Sequence, residues 1–279
     1  MRDFLLVTIF GTLLPLCFIK PYIGVLVWSW IGLMNPHRLT FGFTYGGPFA
    51  QVATIATLLG LLFTKDRSPL PRSRETYLLF ALWVVFFLST LSAIYPEDAW
   101  AQFNKVSKIL FMTFLTLLLF QDPKKLRLLL LVTVFSIGFF GLRGGIFTIV
   151  TGGQHHVLGP PASFIEGNTN LGMALNMVLP LLFFLAREES RSWLRISLRG
   201  VFFFSIIAIL GTYSRGAFLG LVVVLGLMFL KSRARFAGAF LLIIGIPLIL
   251  SIFPEKWFGR METIQTYEED RSAMSRLAA

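Results

Sequence analysis

Charged residues are clustered along this chain, and long uncharged runs separate the clusters. The runs cover positions 4–19, 21–34, 49–64, 77–94, 109–121, 128–142, 171–186, 200–214, 216–230 and 236–254. A helix crossing the ~30 Å of bilayer hydrocarbon needs about 20 apolar residues and tolerates about 17. The pattern therefore predicts an all-α polytopic membrane protein with nine or ten transmembrane helices, several of them short. Short runs call for snorkelling ends or local bilayer thinning. The first nineteen residues could pass for a signal peptide, but Arg2-Asp3 carries no net charge. Lys20-Pro21 also stands where a small-residue cleavage site belongs, so the segment reads as a retained membrane span. No long linker or repeat interrupts the runs. The expected organisation is one transmembrane domain, 1–253, followed by a polar segment, 254–279, that begins a large loop.

The loops alternate in charge. Lys65, Arg67, Arg72 and Arg74 fall in one, Lys124, Lys125 and Arg127 in the next basic one. Arg187, Arg191, Arg195 and Arg199 form the third, and Lys231, Arg233 and Arg235 the fourth. Between them lie Tyr95-Pro-Glu-Asp, the Gly-, His- and Pro-rich 143–170, and the turn from Gly211 to Gly216. The positive-inside rule assigns the four basic loops to the cytoplasm, which places loop 35–48 and the tail from Pro254 outside. An ordinary hairpin of 4–19 and 21–34 then requires an N-terminus outside. The alternative, which keeps Arg2 inside and is preferred, is a single crossing by 4–34 broken around Pro15 and Pro21.

Composition agrees with the runs: 56% of the residues are hydrophobic and 14% charged, against about 25% charged in soluble domains. Mean hydropathy is +0.76. A soluble enzyme is excluded. The net charge of +11 would suggest nucleic acid in a soluble protein. Here the fourteen arginines and lysines of the basic loops are topology markers, and no nucleic acid is expected. The single cysteine, Cys17, excludes disulfides and Cys-rich metal sites.

Candidate chemistry lies in the outward-facing minority of charges. Gly211-Thr-Tyr-Ser-Arg-Gly216 interrupts 31 nearly continuous apolar positions, 200–230. Both flanks are cytoplasmic by charge, so these positions form a hairpin. Arms of ~15 residues span only about 22 Å, which sets Arg215 at or just below the headgroup level. Arginine within a membrane marks a functional site by default, and its planar fork of donors suits a diphosphate. The rival reading is an arginine snorkelling to lipid phosphates. Arg143, in Gly141-Leu-Arg-Gly-Gly145, closes run 128–142, where flanking glycines would let the backbone open to a ligand. An interfacial anchor explains it equally well. Loop 143–170 is long enough to be a lid or binding segment. Its Asn168, Asn170 and Glu166 suit sugar contacts, as do His37 and Arg38 in the other outer loop. Adjacent His155 and His156 lack the spacing of metal ligands, and no metal or other cofactor is expected. No Walker or Ser-His-Asp pattern occurs. The segment Arg187–Arg199 interleaves basic and apolar residues like a short interfacial helix on anionic lipid.

Several segments are similar to the exosortase A-associated O-glycosylation ligases of the O-antigen ligase/polymerase superfamily. They are Met1-Arg-Asp, Lys20-Pro-Tyr-Ile-Gly-Val-Leu-Val-Trp and Leu33-Met-Asn-Pro-His-Arg-Leu-Thr40. Leu142-Arg-Gly-Gly-Ile-Phe-Thr, Thr151-Gly-Gly, Val157-Leu-Gly-Pro, Thr212-Tyr-Ser-Arg-Gly-Ala217 and Glu269-Asp-Arg-Ser-Ala with Arg276 continue the likeness. The resemblance covers essentially the whole chain. It implies a metal-independent, inverting glycosyltransferase of the bacterial inner membrane with a periplasmic active face. The donor would be a polyprenyl-diphosphate-linked glycan, and the acceptor a protein, polysaccharide or lipid. Family arginines that hold the diphosphate match Arg215 and Arg276, and Arg143 joins them from its position. Superfamily members continue for a hundred or more residues, with an acceptor-activating His in a periplasmic loop. None of the three histidines here matches it, so the catalytic His is expected beyond Ala279 and the chain reads as a fragment. The alternatives are a lipid-linked glycan polymerase of the same superfamily, or a non-catalytic membrane subunit or transporter.

Overall fold

The structure, a computed structural model, describes residues 1–64, 69–231 and 253–262. It is helical throughout, with no strand among the described residues. Helices α1 (Arg2–Ile19) and α2 (Pro21–Met34) are followed by a 3₁₀ turn (Pro36–Leu39) and α3 (Phe49–Phe63). Then come α4 (Arg74–Leu91), α5 (Pro96–Leu119), α6 (Pro123–Val150), α7 (Asn168–Glu188), α8 (Ser192–Gly211), α9 (Arg215–Lys231) and α10 (Glu255–Glu262). Five of these, α1, α4, α6, α7 and α8, are long and apolar enough to cross a bilayer, and α2 and α3 are shorter apolar helices. The protein is thus an all-α, multi-pass membrane protein. The apolar run 236–254 expected to cross lies almost wholly outside the described residues. The chain divides into two compact units: Met1–Gly32 with Leu39–Val132, and Leu33–Arg38 with Thr133–Ala279.

In the first unit, α1 and α2 form a hairpin rather than one broken crossing. Asp3 Oδ1 accepts hydrogen bonds from the Thr44 hydroxyl at 2.6 Å and the Thr44 amide at 3.2 Å, and Arg2 Nη1 donates to the Leu39 carbonyl at 3.2 Å. The start of α1 therefore lies beside the segment that follows α2, and the chain must travel out and back. Helix α3 runs alongside α1 in the same direction: Phe10 meets Phe49 edge-on at 5.0 Å, and Gly60 abuts the Phe18 carbonyl. The preferred single crossing is thereby corrected. The cause is a polar clasp between residues too far apart for run lengths to reveal.

Helix α5 corrects a second boundary. The expected crossing, 109–121, is extended to Pro96, which stands in the first helical turn with Glu97 and Asp98. Proline fits that position because its missing N–H would be unsatisfied anyway, and the acids favour the positive end of the helix dipole. Lys105 and Lys108, which precede the uncharged run, are consequently helical. They flank Ser107, whose hydroxyl accepts from Trp83 Nε1 at 2.9 Å midway along α4. Helix α4 itself buries little, and Leu78, Phe80, Val85 and Leu88 stay exposed, the surface a lipid-facing helix presents.

Helix α6, most of which belongs to the second unit, runs 28 residues, about 42 Å, and passes straight through Gly141–Gly145. The expected opening of the backbone there does not occur. Gly138 lies against Val201, Gly141 against Ser205, Gly145 against the Phe204 carbonyl and Gly144 against Ala208. The contacts advance in step along both helices, so α6 and α8 run parallel at close range. Such approach is what small residues permit between membrane helices, where no hydrophobic effect drives association. Helix α8 begins at Ser192, taking Arg195 and Arg199 into its first turns, and its 20 residues span about 30 Å. The 22 Å expected for this arm is thus too short. The 17 residues of α9 span about 25 Å.

Two outcomes check this fold. Gly145→Ala places a Cβ on a backbone carbonyl that cannot yield, and should cost about 1–3 kcal/mol, whereas a Cβ at Gly200 meets nothing within 4 Å. Thermal unfolding of the purified protein should show a lower midpoint for Gly145→Ala and an unchanged or higher one for Gly200→Ala. In a Cys17→Ser background, single cysteines at Met1 and Tyr45 should react with a membrane-impermeant maleimide from the same side. Labelling from opposite sides would contradict the α1–α2 hairpin.

Candidate functional site

The turn joining α8 to α9 is densely hydrogen-bonded. The last carbonyls of a helix have no partner within it, and in a bilayer water cannot supply one. Here four successive carbonyls each receive a donor from a distant part of the chain, three segments in all. Leu210 accepts from Trp257 Nε1 at 2.9 Å, and Gly211 from the Val157 amide at 2.8 Å. Thr212 accepts from Asn168 Nδ2 at 2.9 Å, and Tyr213 from Arg260 Nε at 3.0 Å. Loop 151–167, the start of α7 and helix α10 are thus gathered on the turn.

Tyr213 sits at the centre. Its φ of +58° is the left-handed region, which costs a non-glycine residue roughly 1–2 kcal/mol. The side chain is almost wholly buried, and its hydroxyl donates to the Gly153 carbonyl. Burial raises the proton affinity of the phenol, so it remains a donor. The ring stacks on His156 with centroids 4.5 Å apart and planes 18° from parallel. Ser214 Oγ accepts from the Ala217 amide at 3.3 Å, capping α9 in the usual manner of a serine. Arg215 is then the first residue of α9 and is half-buried. A cation at the positive end of a helix dipole is unfavourable by itself. Arg260 adds to it, since its Nε donates to the Tyr213 carbonyl two residues before Arg215. The pKa of His156 is lowered by burial first, then by Arg260 and Lys256. The result is a concentration of positive charge around a helix N-terminus, an arrangement that favours an anion.

Residues 1–190 match a family of unknown function, DUF5935. The chain belongs to this DUF5935 family. No curated protein and no solved structure matches it. The matched segment includes α1 to α7 with loop 151–167, and it ends before the turn that carries Tyr213 and Arg215.

The candidate residues fall in different places. Arg215 and Asn168 come together at the turn, Asn168 as a brace whose Oδ1 also accepts from the Thr169 amide at 2.9 Å. Asn170 faces its own loop and donates to the Glu166 carbonyl at 3.0 Å, while Glu166 Oε2 accepts from the Ala162 amide at 2.8 Å. Arg143 is exposed on α6, and the helix continues seven residues beyond it to Val150. That is about 10 Å of helix, so Arg143 does not close a helix as its run suggested. His37 and Arg38 lie in the 3₁₀ turn, in the segment Leu33–Arg38 that clusters with the second unit. Burial, with Arg38 second, lowers the pKa of His37. Arg276 lies outside the described residues. No group of three or more His, Cys, Asp or Glu residues is placed to hold a metal ion among the described residues.

Sequence reasoning assigns no role to Tyr213, Lys256, Trp257 or Arg260, and weighs His156 only as a metal ligand. The tail past Pro254 reads as solvated loop, yet α10 is pinned by Trp257, which is buried against Phe253 and meets Phe218 edge-on at 5.8 Å. A usable signal was present: Phe253 and Trp257 stand four apart, one helical turn, with Lys256 and Arg260 beside them.

The lowered pKa of His156 gives a test. The folded state favours the neutral imidazole, so its contribution to stability is present above the ordinary pKa near 6.5 and is lost as pH falls below it. With only three histidines, ¹³C-histidine NMR of the micelle-bound protein can follow each ring. His156 should titrate below 6.5, and Lys256→Gln should move it part of the way back. A titration unmoved by that change would remove Lys256 from the cluster.

Proposed function

We propose that this DUF5935-family protein takes part in glycan transfer from a polyprenyl-diphosphate carrier to an acceptor. The site would lie on the periplasmic face of a bacterial inner membrane. The observation that carries the reading is the Tyr213 turn, where Arg215 opens α9 and Arg260 bonds the Tyr213 carbonyl two residues before it, at one end of the α8–α9 hairpin. A lipid-linked diphosphate would arrive there from the bilayer, with its charge at the height of the turn. The resemblance through Thr212-Tyr-Ser-Arg-Gly-Ala217 supports the same position. The basic segment 187–199, at the opposite end of α7 and α8, favours a cytoplasmic placement of that end by the positive-inside rule.

The chemistry would be electrostatic. Breaking the bond between the sugar and the diphosphate develops charge on the leaving phosphate, and fixed cationic donors stabilise it without reorganising. The acceptor hydroxyl attacks the anomeric carbon and loses its proton to a base. The diphosphate departs with the bonding electron pair. Arg215 would supply the planar fork, with Arg143 and Arg276 as the further candidates for the diphosphate.

The full-length protein carrying Arg215→Ala should lose about 10²–10³-fold in transfer rate, the scale for removing one such donor. Arg215→Lys should recover only part, because an ammonium cannot bind two oxygens through a fork. Transfer is read as release of polyprenyl diphosphate from a lipid-linked glycan in membranes. Undiminished release by Arg215→Ala would overturn the assignment.

A further inference from the structure

A second group of arginines lies at the other end of the second unit, within a cavity. The cavity holds about 420 Å³ between the end of α7 and the start of α8, within the ~300–1,000 Å³ usual for ligand sites. Arg187, Leu182 and Phe183 line it from α7, and Arg195, Arg199 and Phe202 from α8. Phe183 and Phe202 face one another at 6.0 Å and form an apolar wall.

The cationic side of the cavity is partly preorganised. Arg195 Nε donates to the Glu189 carbonyl at 2.9 Å and its Nη2 to the Ser190 carbonyl at 3.4 Å. The buried Glu189 carboxylate accepts from the Arg191 amide at 3.0 Å, so one negative charge stands close by. Three arginines still converge on the cavity. Arg195 and Arg199 are one helical turn apart, a spacing at which like charges repel. Arg187 and Arg199 are exposed, so no requirement of the protein core holds them there. An oxyanion would relieve the repulsion, and guanidinium forks match phosphate oxygens. The phenylalanine wall suits a ligand that is apolar beyond its anionic group. Basic pockets between membrane helices take phospholipid headgroups on these terms.

We infer that this cavity binds the phosphate of an acidic phospholipid, with Arg187, Arg195 and Arg199 around the phosphate and the acyl chains along Phe183 and Phe202. The site is separate from the Tyr213 turn and does not depend on the glycan-transfer reading.

The test uses the whole chain in nanodiscs, with phosphatidylglycerol titrated into phosphatidylcholine and bound lipid counted by native mass spectrometry after release. The parent protein should retain phosphatidylglycerol over phosphatidylcholine. Arg199→Gln should weaken that retention about fivefold, and the Arg187→Gln/Arg199→Gln pair about 25-fold. Arg191, in the same segment but outside the cavity, is the control, and Arg191→Gln should retain lipid like the parent. Arg195 is left intact because it braces the loop, and elution as a single species confirms that each variant is folded. Equal losses from Arg191→Gln and Arg199→Gln would mean diffuse surface attraction and overturn the proposal. Displacement of the lipid by millimolar inorganic phosphate would overturn it too, by showing a site for a soluble anion.

Discussion

Four backbone carbonyls at the end of α8 set the arrangement of the second unit. A helix that stops inside a membrane protein leaves its last carbonyls without donors, and each buried unpaired group costs several kcal/mol in hydrocarbon. Leu210, Gly211, Thr212 and Tyr213 resolve this by drawing an indole, a backbone amide, a carboxamide and a guanidinium from three other segments. The donors fix where loop 151–167 lies, where α7 starts and where α10 docks. Positive charge accumulates at the turn partly as a consequence. Arg260 is there as a donor to a carbonyl, and it brings Lys256 along on the same short helix.

The close approach of α6 and α8 serves the same end. Glycines at 138, 141, 144 and 145 let α8 lie against α6, and Gly211 at the top of α8 meets Thr148 of α6 and Val157 of the following loop. The amide of Val157 is thereby brought onto the Gly211 carbonyl. A larger residue anywhere in this seam would separate the helices and pull that donor away from the turn. The glycines flanking Arg143 thus act on the site at a distance. They do so through packing, and they do not expose backbone to a ligand.

The membrane class and the α8–α9 hairpin with Arg215 at its turn were legible because each follows from run length and charge spacing along the chain, although the arm length inferred from the run was too short for α8. The continuation of α6 through Gly141–Gly145 was not, because glycine signals both an open backbone and a tight helix seam. Only the facing residues, Ser205 and Ala208, decide between them. The α1–α2 hairpin turned on contacts of Asp3 with Thr44 and of Arg2 with Leu39, which join residues 41 and 37 apart. The start of α5 was not legible from the uncharged run 109–121, because Lys105 and Lys108 interrupt the apolar pattern without ending the helix, which begins at Pro96. Trp257 reads as an ordinary tail residue until its partner, the Leu210 carbonyl, is known.

Tyr213 shows why the turn is built from a residue that does not favour its own backbone conformation. Glycine would adopt φ near +58° at no steric cost, and the turn alone would be easier to form. Glycine, however, has no hydroxyl for the Gly153 carbonyl and no ring for His156. Those two contacts tie the loop after α6 to the turn after α8, so the backbone cost is offset by a buried side chain acting as a peg. Local strain of this kind survives only where the surroundings over-determine it, and the four bonded carbonyls do so here. The peg also fixes the exit of the chain into α9. Arg215 follows two residues later at the first position of that helix, so its direction is set by a rigid turn. A basic residue on a flexible loop could reach the same anion, but it would first lose conformational freedom that Arg215 has already given up in the folded protein.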